Sequence, residues 1–472
     1  MNRSKTMGPT AAIPRDAESY DRTPRHCEER SDAAIQGPPA PGAGPCSPWI
    51  ATPQAARNDR SGIGPRPSAS TLLTRRAALA AAGTLALPGV LRAQSSTPIR
   101  IGEINSYPGQ PAFTLPYRNG WQLALEQANA AGGVLGRKLE IISRDDAGRP
   151  QDAVRVAGEL LSDQKVDLLA GTFLSNVGLA VSDVALQNKR LFVGGEPLSD
   201  ALVWERGNRY TFRLRPSTYM QAAMLVEDAA KLPAKRWVTV APNYEYGQSA
   251  VKWFKQLLQA KRPDVEFVGE QWPALGRIDA GATVQALGQP RPDAIFNVTF
   301  GADLTNFVRQ GNTRGLFENR SVVSMLTGEP EYLDPLGEET PEGWIVTGYP
   351  RDTLDTPAHS SFARAYREKF AEVPKCGSVV GFALVNAIVA GLLKAGSTEP
   401  EALVAGFRGA AFDTPFGRAA FRALDHQATL GAYVGKLALK DGRGTMVDWR
   451  YVDGAAALPG DAEVKALRTA AD

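Results

Sequence analysis

The sequence predicts an α/β protein built from two doubly wound halves. Three observations carry that expectation. Short apolar runs alternate with amphipathic stretches from residue 98 onward, the pattern of parallel strands joined by crossover helices. The alternation stops at 209–217 and then begins again. The composition is that of an ordinary globular protein, 43% hydrophobic and 22% charged.

The first half opens with a strand at 98–106 and a helix at 117–133. Trp121, Leu125 and Ala128 share one face of that helix, and Gly132 and Gly133 stop it. A strand follows at 137–146, then an amphipathic helix at 150–164 with Pro150 at its start. Residues 166–171 read as a buried strand, 175–189 as a helix and 191–195 as a strand. The second half repeats the pattern. Its strands are expected at 236–243, 265–272, 294–300 and 321–328, and its helices at 246–260, 280–289 and 302–315. After 342–350 come helices at 360–371, 378–394 and 400–408, then closing strands at 416–421 and 432–440 and a polar tail. Open parallel sheets bind ligands at the carboxyl ends of their strands, and a cleft between two such halves is a favoured pocket.

The first 93 residues differ from the rest. They carry 12 Lys+Arg against 7 Asp+Glu, and the remainder carries 41 against 43. The basic excess thus belongs to the leader, and the near-neutral remainder has no basic stripe, which excludes nucleic acid as a partner. Residues 1–70 are rich in Pro, Arg, Ser and Ala and have no sustained apolar period. They are expected to be a disordered extension arising from a misplaced translation start, with a natural N-terminal domain as the alternative. Residues 71–93 read as a signal peptide: Arg75 and Arg76, an Ala- and Leu-rich run, and cleavage after Ala93. The arginine pair fits twin-arginine export, and it fits equally the basic start of a Sec signal. No apolar run reaches the ~18–20 residues that span a bilayer.

Cys27 and Cys46 lie in the leader, so only Cys376 remains after processing and no internal disulfide is expected. His26, His359 and His426 are dispersed. No metal site and no cofactor are expected, and His426 is expected to be structural. The chain has no G-x-S-x-G elbow, no P-loop and no HExxH, so catalysis is the weaker reading of its α/β pattern.

"AAGGVLGRKLE", the "DDAG" turn and the helix after it, then "GTFLSN", "LFVGGEPLSDAL", "APNYEYGQSA" and "EGWIVTGYP", resemble the branched-chain-amino-acid-type periplasmic binding proteins of ABC importers. The resemblance runs from Thr97 to the C-terminus. It implies the type I periplasmic binding protein fold: two lobes joined by three crossovers, near 215–217, 346–349 and 429–434. Lobe one would be 97–215 plus 348–428, and lobe two 216–347 plus 429–472. It further implies a periplasmic, monomeric receptor for a small polar ligand, an amino acid or an amide-like compound, with an ABC permease and ATPase as partners. A ligand-sensing regulatory module of the same fold is the alternative.

The candidate ligand residues come from the same motifs. Ser175 and Asn176 open a helix, where free N–H groups and the dipole suit a carboxylate; the resemblance gives Ser175 that role. Glu196 replaces a small or hydroxyl residue and Leu198 a threonine, so Glu196 is expected to meet an amine or hydroxyl. Phe113 and Tyr246 match pocket aromatics, with Tyr244 a weaker candidate. Phe300 and Gly301 end one strand; Thr327, Gly328 and Glu329 end another, and Glu329 is expected to accept a ligand ammonium. Arg215 and Tyr219 at the first crossover are expected to be structural.

Overall fold

The computed structural model describes residues 97–468; the extension, the signal stretch and the cysteines at 27 and 46 lie outside them. Two sheets organise these residues. The first contains β1 (Ile99–Asn105), β2 (Leu139–Asp145), β3 (Leu168–Gly171), β4 (Phe192–Gly194) and β5 (Thr211–Arg213), in the order β2-β1-β3-β4-β5 and parallel throughout. The connections α1 (Pro111–Ala130), α2 (Pro150–Ser162) and α3 (Ser175–Asn188) cover it, with α2 packed on α3.

The second sheet contains β6 (Arg236–Val240), β7 (Glu266–Gln271), β8 (Ala294–Asn297), β9 (Ser321–Gly328) and β10 (Ile345–Gly348) as a parallel core in the order β10-β9-β8-β6-β7. Its helices are α4 (Thr218–Ala229), α5 (Glu245–Lys261), α6 (Ala280–Gly288) and α7 (Gly301–Thr313), followed by the one-turn α8 (Pro330–Leu333). α4 packs on α5, and α6 on α7. The chain then returns through α9 (Pro357–Phe370) and α10 (Cys376–Ala395), a small hairpin of β11 (Ala411–Thr414) and β12 (Gly417–Ala420), and a long hairpin of β13 (Ala432–Lys440) and β14 (Arg443–Val452). The long hairpin adds antiparallel to the edge of β10. The chain passes between the two lobes three times, after β5, after β10 and before β13.

Several elements depart from expectation; β5 and α4 fall where the alternation had read as interrupted. α1 starts at Pro111 and runs through Pro116, ahead of the expected start at 117. Proline removes one N–H bond in a helix, yet burial of Phe113 and Tyr117 on either side holds the turn. β14 had read as part of a polar tail. As an edge strand it is only partly buried, and its apolar residues are interrupted by Asp448 and Arg450, so it has no continuous run to betray it. β11 was also missed, for the same lack of a continuous apolar stretch.

α10 has the length and apolar composition to cross a membrane, but most of it is buried here against α1. The two helices touch at backbone distance. A Cβ on Gly381 would lie 2.1 Å from the Tyr117 carbonyl oxygen, and one on Gly120 would lie 2.0 Å from that of Ser378. Only glycine permits that approach.

Candidate functional site

The site lies where the carboxyl ends of the two sheets face each other. β3 ends in Gly171 and Thr172 follows it, both at positive φ, +105° and +61°. A Cβ on Gly171 would meet the Ile104 carbonyl at 2.4 Å, so this turn needs glycine. The turn lifts Ser175 to the first position of α3. Leu174, the residue that precedes the helix, offers no capping side chain, so the first-turn N–H groups are left for another acceptor. Ser175 is 2% exposed. Its Oγ accepts from the backbone N–H of Leu198 at 3.2 Å and of Ser199 at 3.1 Å. A hydroxyl has two acceptor positions and one proton, so that proton remains to be donated.

A narrow pocket opens beside Ser175. From the first lobe it is lined by Phe173, Ser175, Glu196 and Leu198. From the second come Tyr244 and Tyr246 of the β6–α5 turn, Phe300 before α7, Leu326 of β9 and Tyr332 of α8. The rings form a continuous wall. Phe173 and Phe300 have centroids 6.1 Å apart, Phe300 and Tyr246 5.7 Å, and Phe300 and Tyr332 6.1 Å. The hydroxyls of Tyr246 and Tyr332 are buried without a protein partner. Burial pushes both well above the ordinary tyrosine value, so both stay protonated donors.

Beside the pocket sits an ion triad. The guanidinium of Arg215 donates one hydrogen bond to Glu196 Oε1 and another to Glu329 Oε1. Arg215 is 4% exposed and each glutamate 2%. Glu196 follows β4 in the first lobe and Glu329 follows β9 in the second, so the arginine links a carboxyl from each. Phe113 closes one side, its ring centroid 5.5 Å from the guanidinium carbon. The second oxygen of each carboxyl has no protein partner. Burial opposes the charge on Arg215, and Glu196 outweighs it and holds the arginine above its ordinary value. Burial pushes Glu196 up to about 8, against the pull of Arg215. Two carboxylates on one guanidinium leave an excess negative charge in a dry site, and a proton on Glu196 removes it. The lobes also meet where Ser199 Oγ donates to Glu245 Oε1 at 2.6 Å and Lys252 reaches Glu205 at 3.3 Å.

The structure brings together Ser175, Glu196, Tyr246 and Phe300 of the expected residues, with Tyr244. The rest stand elsewhere. Phe113 packs behind Phe173, 5.2 Å between centroids, and against Arg215. Asn176 is half-buried beside the pocket. Gly301 starts α7 at φ +59° across from Gln110. Thr327 bonds Ser324 Oγ within β9 at 2.5 Å. Leu326 takes its place at the wall, because its positive φ (+68°) and its N–H bond to Thr347 Oγ1 turn the strand. Glu329 is held by Arg215 through Oε1 and keeps its second oxygen without a protein partner, and Arg215 stands between the two glutamates at the first crossover. Phe173 and Tyr332 were not foreseen. Phe173 sits in "GTFLSN", two residues before Ser175, and that proximity was the available signal. His426 is buried and stacked on Phe212, centroids 4.0 Å apart.

Stability should report the buried acids. Glu103 in β1 is fully buried and pushed up to about 7 by that burial, despite hydrogen bonds from Ser143 at 2.6 Å and Tyr107 at 2.9 Å. Glu103 and Glu196 keep protons in the fold that the unfolded chain releases near pH 4.5. The folded state therefore binds more protons between that value and about pH 7 to 8, and stability falls as pH rises through the interval. Urea midpoints measured from pH 5 to 8.5 should decline, with a loss on the order of a few kcal/mol. Below about pH 6.5 the buried His359 and His426, both held below the ordinary histidine value, oppose this trend, so the decisive range is pH 7 to 8.5, where a flat or rising profile would refute the protonated acids.

Comparison with known proteins agrees with this geometry. The profile of the periplasmic binding protein family matches residues 98–443. Leu/Ile/Val-binding protein homolog 8 of Brucella melitensis biotype 1 is 27% identical over 354 residues, 71% of this chain and 83% of its own length. Homolog 7 of Brucella suis biovar 1 is 27% identical over 303 residues, 60% of this chain and 74% of its own length. Among solved structures, an ABC-transporter solute-binding protein of Rhodopseudomonas palustris BisB5, in complex with 3,4-dihydroxybenzoic acid, superposes with a TM-score of 0.69 at 23% identity. It covers 75% of this chain and 97% of its own. The closed leucine-, isoleucine-, valine-, threonine- and alanine-binding protein of Brucella ovis gives 0.68 at 20% identity, over 77% and 97%. With two α/β lobes, three crossovers and a cleft pocket at a helix N-terminus, the chain belongs to the periplasmic binding protein family, whose members are solute receptors of ABC importers.

Proposed function

We propose that this chain captures a small carboxylate-bearing solute between its lobes and delivers it to an ABC permease driven by its ATPase. The observation that carries the reading is the pocket at the uncapped start of α3. Free N–H groups and the Ser175 hydroxyl stand on one side, and buried rings from the other lobe cover it. That arrangement holds an anion and excludes water, and it needs no nucleophile or base. The lobes comprise 97–215 plus 348–428 and 216–347 plus 429–472, and capture is closure about the crossovers. The chain acts as a periplasmic monomer, exported on the signal at 71–93 by the Sec or the twin-arginine route.

The Brucella ovis protein is named for aliphatic amino acids, and the Rhodopseudomonas palustris protein holds a dihydroxybenzoic acid. Both ligands carry a carboxylate, and both classes fall within the reading. A ligand that binds only the folded protein stabilises it by mass action, about 2.7 kcal/mol at 100 times its Kd. In a thermal-shift panel of small carboxylates and amides, at least one carboxylate should raise Tm by several degrees. If only uncharged amides do so, the anion reading fails; if nothing does, the receptor reading fails.

A further inference from the structure

The first sheet decides which glutamate travels with Arg215. β4 and β5 are parallel neighbours whose last registered pair is Gly194 and Arg213. The Leu214 N–H donates to the Gly194 carbonyl at 2.9 Å. Glu196 and Arg215 each stand two residues beyond that pair. The Arg215 carbonyl also accepts from Gln427 Nε2 at 3.1 Å, and Gln427 is bridged in parallel to Arg213. Arg215 and Glu196 are therefore a unit of the first lobe and stay together when the lobes part. Glu329 follows β9 in the second lobe, so it reaches the guanidinium only when they are shut.

Its arrival changes what the pair offers. An arginine with one carboxylate favours the forked pairing that engages both oxygens. In the shut molecule the guanidinium instead gives one nitrogen to Glu196 Oε1 and the other to Glu329 Oε1. Glu196 Oε2 is left buried and unpartnered. The three side chains do not face one space. Glu196 lines the solute pocket with Ser175 and Tyr246. Arg215 and Glu329 line a separate narrow cavity among the three crossovers, with Thr347, Cys376 and Leu430. The member of the triad on the solute's side is thus Glu196, and its open oxygen is the group it has to give.

We infer that Glu329 is a positioning residue for the solute: on closure it draws one arm of Arg215 away from Glu196 and so frees Glu196 Oε2 for a polar group of the solute. Glu329 itself touches no solute. The pocket gains this partner only in the shut form, which ties recognition to closure. The inference rests on the cleft being the solute site.

A measurement without solute tests the division of the arginine. Glu329→Leu leaves a balanced pair and returns the whole guanidinium to Glu196. The Glu196 titration should then fall from about 8 by about one pH unit or more. Burial keeps Tyr117, Tyr244, Tyr246, Tyr332 and Cys376 around it protonated, and Glu331 is the other acid that faces it. Infrared spectra of the full chain between pH 5 and 9 read the protonated carboxyl, and Glu196→Gln identifies its band. An unchanged or raised midpoint overturns the inference and leaves the receptor reading standing. Glu329→Gln should show a smaller fall, and it decides the matter if the leucine variant does not fold. In a thermal-shift panel of small carboxylates and amides, a compound that raises the native Tm should raise that of Glu329→Leu less. Glu329→Gln, which still accepts from the arginine, should restore most of the shift. Equal shifts in the native protein and Glu329→Leu overturn the positioning role. A panel with no shift in the native protein overturns the receptor reading and the positioning role together.

Discussion

Arg215→Met is expected to be the most destabilising single change at the cleft, costing about 3–5 kcal/mol at pH 8. The substitution removes the one cation that Glu196 and Glu329 share and leaves two carboxyls buried without it. The cost comes from the acids left behind, not from the attraction lost. It should therefore shrink toward pH 5, where a protonated carboxyl needs no counter-ion. The triple variant Arg215→Met, Glu196→Gln, Glu329→Gln should recover most of the loss, because replacing a whole buried ion group can be neutral. Urea denaturation of the three proteins at pH 5 and pH 8 measures this. A loss below about 1 kcal/mol for Arg215→Met would mean the triad is wet and loosely held.

Gly381→Val should cost about 3 kcal/mol or more, the upper range for overpacking, because the new side chain meets backbone and not a flexible side chain. The nearest atom is the Tyr117 carbonyl oxygen, at 2.1 Å from the added Cβ. α1 and α10 would have to separate, and Phe113, which packs against Arg215, travels on α1. Denaturation followed by tryptophan fluorescence checks the stability. An effect under about 1 kcal/mol would show that the crossing yields easily.

The alternation of apolar runs with amphipathic stretches made both parallel sheets legible, because a strand covered on both faces must be apolar along its length. β14 escaped because it is an edge strand with polar residues on both sides. Its signal lay in the turn instead: Asp441-Gly442, both at positive φ, is the two-residue hairpin sequence. The site was legible as far as local rules reach. Ser175, Glu196, Tyr246 and Phe300 each follow the carboxyl end of a strand. The Arg215 triad was not, because its members are 19 and 114 residues apart, and no spacing rule brings a crossover arginine to two strand ends. A carboxyl from each lobe on one guanidinium is a property of the closed molecule.

The same feature bears on how readily the cleft fills. Drawing the lobes apart must strip at least one glutamate from the arginine, and water then solvates the separated groups, so the net bias of the triad is the small difference between two large terms. Whatever bias it gives toward the shut form lowers the apparent affinity for solute by the fraction that is open, and that bias changes with the protonation of Glu196.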